Sequence, residues 1–291
     1  MDRFEFAGTA VVTGAASGIG EALARDLAAR GMDLVLLDID GPRLASVAAS
    51  LPGRVEQHVV DLSDAAATAA VASTILASHD RIRLLVNNAG VALGGRFDQV
   101  TLDEFEWVIR VNFLGTVRLT HALLPALKAE PGSHLVNLSS LFGIIAPGGQ
   151  AAYSSSKFAV RGFTEALRQE LAVDGIGVTS VHPGGVKTRI GESAKVGSGV
   201  PAEYVEAHRD DWKRLLTLDP AEAAVVILRG VERRRGRVLI TRTAKVLDVL
   251  ARALPVGYTK VLAAAARRRG ITAEEAVPVA AAPLPQPDSP V

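Results

Sequence analysis

Residues 13–20 read Thr13-Gly14-Ala15-Ala16-Ser17-Gly18-Ile19-Gly20, and they follow a short β-rich run at 9–13. The residues after them keep helical apolar spacing as far as Arg30, and Gly31 then ends the helix. Glycine permits a tight turn and a close backbone approach, so this strand, turn and helix predict a pyrophosphate site at a helix N-terminus. The alternative is a plain glycine-rich turn, because such a turn alone is a weak signal. The residues predicted to contact a dinucleotide here are Gly14, Ser17, Gly18, Ile19 and Gly20.

The chain alternates short apolar runs with longer helical patterns. The apolar runs lie at 9–13, 34–37, 84–86, 135–138, 178–181 and 237–240. Helical stretches between them include 102–124 and 153–172. Near-continuous apolar strands suit a sheet that is covered on both faces. The rhythm therefore predicts an α/β fold with a doubly wound, Rossmann-type, mostly parallel sheet and helices on both faces.

Composition and charge narrow the class of protein. The chain has 291 residues, 48% hydrophobic and 22% charged, which permits one large α/β domain or two small ones. A formal net charge of +1 gives no argument for a nucleic-acid partner. Cysteine is absent and the six histidines are scattered, so neither a disulfide nor a metal site is expected. The N-terminus lacks the apolar run of a signal peptide and no stretch suits a membrane span, so we expect a cytoplasmic protein.

Asp38 closes the second apolar run, where a carboxylate usually accepts hydrogen bonds from the adenosine ribose hydroxyls. A carboxylate there repels a 2′-phosphate. Ile39 follows in the place of an arginine, and Ser17 adds no positive charge to the glycine turn. These three residues favour NAD over NADP. The alternative is that Asp38 only caps a turn and does not contact a cofactor.

Four polar residues form a candidate catalytic set. Tyr153 and Lys157 are four apart in a helical stretch and so share a face, although an ordinary surface pair has the same spacing. Ser140 comes just after the run at 135–138, at the sheet edge where ligands bind, and its hydroxyl suits polarisation of a carbonyl. Asn112 interrupts a helical pattern, where asparagine is locally unfavourable. It is either a surface accident or the holder of a water in a proton path from Lys157.

The motifs together resemble the short-chain dehydrogenase/reductase superfamily over roughly residues 5–240. The resemblance rests on Thr13-Gly14-x-x-x-Gly18-x-Gly20, Asn87-Asn88-Ala89-Gly90, Asn112, Ser140, Tyr153-Ser154-Ser155-Ser156-Lys157 and Pro183-Gly184. It implies a catalytic set of Asn112, Ser140, Tyr153 and Lys157. Ser140 is preferred to Ser139 because the serine of the family lies thirteen positions before the tyrosine.

The resemblance also implies a reaction. Tyr153 exchanges a proton with an alcohol or a ketone while a hydride moves to or from the nicotinamide. Lys157 lowers the pKa of Tyr153 and binds the nicotinamide ribose. The further cofactor contacts that the resemblance implies are Asn88, Ala89 and Gly90, then Asp61 and Leu62, and then Pro183, Gly184, Val186 and Thr188, in addition to Tyr153 and Lys157.

Two segments cover the substrate in proteins of this kind, here about 141–150 and 189–218. The first is apolar over 141–147, which suggests a steroid, retinoid, long-chain or aryl alcohol unless these residues only pack under the loop. The second contains Gly197-Ser198-Gly199, which is consistent with a mobile lid. An NADP-dependent carbonyl reductase and a non-catalytic NAD-binding sensor or scaffold are the other function classes.

The C-terminal region departs from the short tetrameric members, which end soon after their last strand. Here the chain continues for about fifty residues beyond Thr241, which argues against the tetrameric packing of those members and against a ketoacyl reductase, although a dimer and a tetramer both stay open. An extended C-terminus could narrow the site, make a dimer contact or touch a membrane surface. We expect a catalytic domain at 1–243, a helical extension at 244–277 and a disordered Ala/Pro tail at 278–291. Pro255 and Gly257 divide 244–266 into two helices. Their apolar faces suit the domain, another subunit or, less favoured, a weak peripheral contact with a membrane.

Overall fold

A computed structural model describes residues 3–190, 193–207 and 216–268. The strands are β1 Thr9–Thr13, β2 Asp33–Asp38, β3 Val55–Val59, β4 Leu84–Asn87, β5 Leu93–Gly94, β6 His134–Leu138, β7 Gly177–His182, β8 Lys195–Val196 and β9 Arg237–Leu239. The helices are α1 Gly18–Ala29, α2 Gly41–Ala49, α3 Ala65–Ser78, α4 Leu102–Ile109, α5 Thr116–Ala129, α6 Ala151–Glu170, α7 Ala202–Ala207, α8 Pro220–Glu232, α9 Arg242–Ala253 and α10 Tyr258–Arg268.

Seven strands form one parallel sheet in the order β3-β2-β1-β4-β6-β7-β9. The chain builds outward from β1 in one direction and from β4 in the other. The strand order therefore reverses between β1 and β4, and a crevice opens there at the carboxyl ends of the strands. The doubly wound, Rossmann-type sheet predicted from the sequence is confirmed.

Two apolar clusters cover the two faces of the sheet. On β1, Val11 packs with one cluster and Val12 with the other, because successive side chains of a strand point to opposite faces. One cluster includes Leu23 of α1 and Ile227 of α8, and the other includes Leu119 of α5. Helices on both faces explain why the central strands are largely apolar.

The strand β3 was missed by the sequence analysis. Its sequence is Val-Glu-Gln-His-Val, and it lies at the edge of the sheet with β2 as its partner. An edge strand is less buried than a central one, so it does not require a continuous apolar run. Because β3 contains three polar residues, its sequence does not show the apolar run by which the other strands of the sheet were predicted.

The helices α9 and α10 are separated at 254–257, where Pro255 and Gly257 were predicted to divide the extension. Asp248 of α9 is buried and accepts hydrogen bonds from Arg237 of β9 at 2.5 and 3.1 Å. This contact ties the extension to the last strand. The predicted division into 1–243, 244–277 and 278–291 stays a prediction, and the predicted disordered tail lies outside the described residues. Within the described ranges, no helix is long and apolar enough to cross a membrane.

Candidate active site

A cavity of about 990 Å³ lies at the crevice between the two halves of the sheet. The glycine turn after β1, the end of β2, the residues after β4 and β6 and the segment after β7 all contribute to its wall. All of the site residues predicted from the sequence line this cavity except Gly20 and Asn112. The topology thus brings residues that are far apart in sequence to one place.

The turn between β1 and α1 depends on its glycines. Gly14 and Gly18 have φ angles of +65° and +57°, which L side chains rarely adopt. A Cβ on Gly20 would lie 2.0 Å from the carbonyl oxygen of Gly14. Ser17 precedes α1, and its side chain makes no capping hydrogen bond. The first-turn N–H groups of α1 therefore point into a close-approach turn that suits a pyrophosphate.

Asn88 and Thr13 fasten the end of β4 to this turn. The Asn88 amide donates to the carbonyls of Thr13 and Gly14 at 2.9 and 3.1 Å. The Thr13 hydroxyl accepts hydrogen bonds from the backbone N–H groups of Asn88 and Ala89 at 3.0 and 2.9 Å. These contacts hold the segment 88–90 beside the glycine turn.

Asp38 lies at the end of β2 and faces the same turn. Its carboxylate accepts hydrogen bonds from the backbone N–H groups of Ala16 at 2.9 Å and Asp40 at 3.0 Å. The turn-capping role weighed from the sequence is therefore present, and it leaves acceptor capacity for a ribose hydroxyl. Asp40 forms ion pairs with Arg43 at 3.2 Å and Arg189 at 3.7 Å, so two cations also lie near this end of the cavity.

The residues that were predicted to lie beside the adenine and beside the nicotinamide carboxamide all line the cavity. Asp61 is exposed and Leu62 is buried, and both lie after β3. Val186 is buried in the segment after β7, and Thr188 follows it. A Cβ on Gly18 would lie 3.0 Å from Thr188, so this segment reaches the glycine turn. Pro183 and Gly184 lie between β7 and this contact.

Tyr153 and Lys157 are placed by the first turns of α6. Tyr153 is half-buried and open to the cavity, and its ring packs edge-on against Phe142 with centroids 6.1 Å apart. Lys157 is buried, and its Nζ donates to the carbonyl of Leu138 at 3.0 Å. The Lys157 Nζ lies 5.7 Å from the centre of the Tyr153 ring. The shared face predicted from the spacing is present.

Burial controls the titration of both groups. Burial raises the pKa of Tyr153 above its ordinary value, and a hydrogen bond with Ser140 acts in the opposite direction. Burial lowers the pKa of Lys157 to about 8. In the protein alone, desolvation therefore outweighs the influences that favour the phenolate.

Ser139 and Ser156 lie behind Tyr153 and Lys157, and no role was predicted for either serine from the sequence. The Ser139 hydroxyl donates to the backbone carbonyl of Lys157 at 2.8 Å. The Ser156 hydroxyl donates to the backbone carbonyl of Tyr153 at 2.7 Å. The Ser139 bond ties α6 to the end of β6, whereas the Ser156 bond lies within the first turns of α6, where Ser156 also accepts a hydrogen bond from Asn112. No sequence signal separates these serines from ordinary ones, because the contacts with Lys157 and Asn112 are made across the fold.

Asn112 sits in a π-helical turn, Arg110–Gly115, between α4 and α5. Its side chain is buried, and its Oδ1 accepts the N–H of Val91 at 2.7 Å. Its Nδ2 donates to the carbonyl of Val91 and to the Ser156 hydroxyl, each at 2.9 Å. Asn112 is therefore not a surface residue. It lies behind the cavity wall, and the water-holding role stays a prediction.

Gly90 lies beside both Asn112 and Lys157. A Cβ on Gly90 would lie 3.1 Å from Asn112 Oδ1 and 3.2 Å from Lys157 Nζ. The segment predicted to contact the cofactor thus touches two of the predicted catalytic side chains.

The remaining wall of the cavity is largely apolar. It includes Trp107, Leu141, Phe142, Leu216 and Leu247. The Lys195 Nζ lies 3.9 Å from the centre of the Trp107 ring, a cation–π contact at the rim. Thr243 and Leu247 belong to α9, so the C-terminal extension forms part of the wall. No pattern in the sequence predicted that these two α9 residues line the site.

The glycines of 197–199 pack closely in this structure. The N–H groups of Gly197 and Gly199 donate to the carbonyls of Gly94 and Gln99 at 2.8 and 2.9 Å. A Cβ on Gly197 would lie 2.5 Å from the Gln99 carbonyl oxygen. These glycines therefore permit a close backbone contact, which a pattern of small residues does not distinguish from a mobile lid. Residues 191–192 and 208–215 of the predicted substrate segment lie outside the described residues.

Known proteins resemble this chain in both sequence and structure. The short chain dehydrogenase family matches residues 8–197. The protein SadH of Mycobacterium tuberculosis is 41% identical over 269 residues, which cover 91% of this chain and 96% of SadH. A short chain dehydrogenase/reductase of Burkholderia phymatum, solved in complex with NAD, has a TM-score of 0.78 and 28% identity, covering 86% of this chain and 95% of that chain. A short-chain dehydrogenase of Sphingobium yanoikuyae, solved in complex with NADPH, has a TM-score of 0.70 and 30% identity, covering 85% and 94% of the two chains.

Proposed function

This chain belongs to the short-chain dehydrogenase family, and we propose that it transfers a hydride between NAD(H) and a hydrophobic secondary alcohol or its ketone. The observation that carries the proposal is one cavity, lined by both the glycine turn and the Ser140, Tyr153 and Lys157 side chains. A bound nicotinamide would accept or supply the hydride. The chain itself must hold the substrate oxygen and move one proton.

Tyr153 is the proposed acid and base. Its hydroxyl is the titratable group beside Ser140, and it gives a proton to a carbonyl oxygen or takes one from an alcohol. The Ser140 hydroxyl holds the same oxygen and stabilises negative charge that develops there. Lys157, when charged, favours the phenolate of Tyr153 from a distance of 5.7 Å to the ring centre.

The glycine turn and the segments around it are the proposed cofactor site. Gly14, Ser17, Gly18 and Ile19 lie where a pyrophosphate would meet the start of α1, and Gly20 makes room for the turn. Asp38 is positioned for the ribose hydroxyls, and Asp61 with Leu62 for the adenine. The other proposed contacts are Asn88, Ala89, Gly90, Pro183, Gly184, Val186 and Thr188.

The substrate preference rests on the apolar wall. Phe142 packs against Tyr153, and Trp107, Leu141 and Leu247 continue the apolar surface. Such a wall favours a hydrophobic alcohol over a sugar, because unpaired hydroxyls lose hydrogen bonds with water there. A homo-oligomeric state and a cytoplasmic location remain expectations from the sequence.

An NADP-dependent carbonyl reductase is the second candidate. The ion pairs of Arg43 and Arg189 with Asp40 place two guanidinium groups near the end of β2. Guanidinium groups bind phosphate well, and a rearrangement of these pairs would suit a 2′-phosphate. The Sphingobium short-chain dehydrogenase, 30% identical to this chain, was solved in complex with NADPH.

The test follows the absorbance of reduced nicotinamide with NAD and then with NADP, over a panel of secondary alcohols, hydroxysteroids and retinoids. Tyr153→Phe is compared with wild type in turnover and in NAD binding. We expect NAD-linked turnover that falls about 10²–10⁴-fold in Tyr153→Phe, with NAD still bound. Turnover with NADP only would overturn the cofactor assignment. Unchanged turnover in Tyr153→Phe would overturn the role of the tyrosine, and NAD binding without turnover on any substrate would favour a sensor or scaffold.

A further inference from the structure

The helices α9 and α10 expose an apolar strip at the surface. Val246 and Val249 of α9 are 66% and 65% exposed, and Val256, which follows α9, is 78% exposed. Leu254 and Val261 are exposed as well. We call these five residues the valine strip. Elsewhere on the described surface, exposed large apolar residues do not gather on one short segment in this way.

One side of α9 is buried or lines the cavity, and the other side is exposed. Ala244 and Asp248 are buried, and Asp248 is held by Arg237. Thr243 and Leu247 line the cavity. At helical spacing, Val246 and Val249 fall on the side away from this buried face. Val246 and Val249 therefore lie on a second, separate face of an anchored helix, and α9 needs no valine there to dock on its own domain.

The exposed charged side chains that are described on α9 and α10 have one sign. Arg242, Lys245, Arg252 and Lys260 are exposed on the same two helices. Asp248 is the one acidic residue between 242 and 268, and it is buried in its pairs with Arg237 and Arg252. The net charge of the whole chain is only +1, so positive charge is concentrated here. A surface that covers the strip must therefore tolerate apolar side chains ringed by cations.

We propose that the valine strip docks on an anionic membrane surface, with α9 lying in the plane of the headgroups. An apolar stripe beside exposed Lys and Arg is the pattern of helices that bind in this way. Anionic lipids attract cations near the surface, and the valines enter the boundary between headgroups and acyl chains. A second copy of the chain fits less well, because a two-fold contact would bring together two copies of the same positively charged surface.

One consequence rests on the proposed function. Because Thr243 and Leu247 of the docked helix line the cavity, docking would bring the cavity wall close to the lipid. A hydrophobic alcohol that dissolves in the bilayer would then have a short path to Tyr153. The docking itself is measured without substrate, so its failure is distinguishable from failure of the proposed reaction.

The experiment is co-sedimentation of the full chain with vesicles of phosphatidylcholine alone or mixed with phosphatidylglycerol. Val246→Asp/Val249→Asp is compared with wild type. The matched control, Val59→Asp/Val173→Asp, changes two valines that are 65% and 89% exposed elsewhere. Melting temperatures establish that all three proteins are folded. We expect wild type and control to bind the anionic vesicles, less at high salt, and the strip variant to bind at least tenfold more weakly.

Three results would overturn the proposal. One is that wild type does not bind anionic vesicles at low salt. Another is that the strip variant and the control bind equally. The third is a wild-type dimer that the strip variant converts to a monomer, because the strip would then be covered by a second copy of the chain.

Discussion

The Ser139 hydroxyl donates to the backbone carbonyl of Lys157 at 2.8 Å, and this contact fixes the end of β6 against α6. The next residue, Ser140, has its hydroxyl beside Tyr153 and accepts the N–H of Phe142 at 3.1 Å. A Cβ on Gly143 would lie 2.2 Å from the Ser139 hydroxyl, so the turn after β6 closes tightly over it. Of the two adjacent serines, Ser139 thus contacts the backbone of α6, whereas Ser140 lies beside the side chain of Tyr153.

Ser140→Ala should reduce turnover about 10²–10³-fold, because it removes the hydroxyl that holds the substrate oxygen. The expected loss is chiefly in kcat, and the melting temperature falls modestly as well, because the Ser140 hydroxyl also accepts the N–H of Phe142. Ser139→Ala is the matched control, and we expect it to lower the free energy of unfolding by about 1 kcal/mol with a much smaller loss of kcat. Steady-state kinetics and urea unfolding of both variants check this. An equal loss of kcat in the two variants would contradict the assignment.

Asp38→Ala should weaken NADH binding and reduce discrimination against NADPH. In the proposed site the carboxylate would accept a hydrogen bond from the ribose and repel a 2′-phosphate, and each loss is worth about tenfold. Asp38→Asn keeps an oxygen for the Ala16 N–H and removes the charge. We therefore expect it to relax discrimination while retaining more NADH affinity. Fluorescence titration with both cofactors measures this, and an unchanged NADH affinity in Asp38→Ala would refute the proposed contact.

The buried Lys157 predicts a specific pH dependence of stability without cofactor. Burial lowers its pKa to about 8 in the folded chain, against about 10.4 when unfolded. Between these values the unfolded chain binds the extra proton, so the free energy of unfolding rises with pH. The raised pKa of Tyr153 acts in the opposite direction above about pH 10, which closes the window there.

Lys157→Met should remove this rise, which we expect to be about 2–3 kcal/mol between pH 8 and 10. The measurement is urea unfolding of wild type and variant at intervals across that range. Lys128→Met is the control, because Lys128 is a surface lysine paired with Asp174 at 2.8 Å. If the difference between wild type and Lys157→Met stays flat with pH, the buried lysine is already neutral or is hydrated.

The central sheet and the place of the site were predictable from the sequence for clear physical reasons. Strands buried on both faces must be apolar, so β1, β2, β4, β6 and β7 stand out, whereas the edge strand β3 does not. The glycines at 14, 18 and 20 predict the turn, because a side chain at these positions would be strained or would clash. Tyr153 and Lys157 share a face by helical spacing alone.

Contacts across the fold were not predictable. Asn112 reads as a mid-helix polar residue, and its partners Val91 and Ser156 come from other parts of the chain. The π-helical turn that holds it has no pattern distinct from an α-helix. Similarly, the 3.6-residue period of α9 shows that the helix is amphipathic but not which side meets the cavity. Leu247 lines the cavity because the contact between Asp248 and Arg237 sets the rotation of α9, and the sequence does not show that contact.

Asp248→Ala should loosen α9 from the sheet. It leaves Arg237, whose Nε has no hydrogen-bond partner within the described structure, without its carboxylate. Removal of one partner from a buried pair costs about 3 kcal/mol, and replacement of both by apolar residues costs much less. We therefore expect Asp248→Ala to be more destabilised in urea than Arg237→Met/Asp248→Leu. Faster hydrogen exchange over 242–253 should accompany the loss in the single variant alone. Equal unfolding free energies in the two variants would mean that the pair does not anchor α9, and that its rotation depends on Ala244 and the apolar contacts instead.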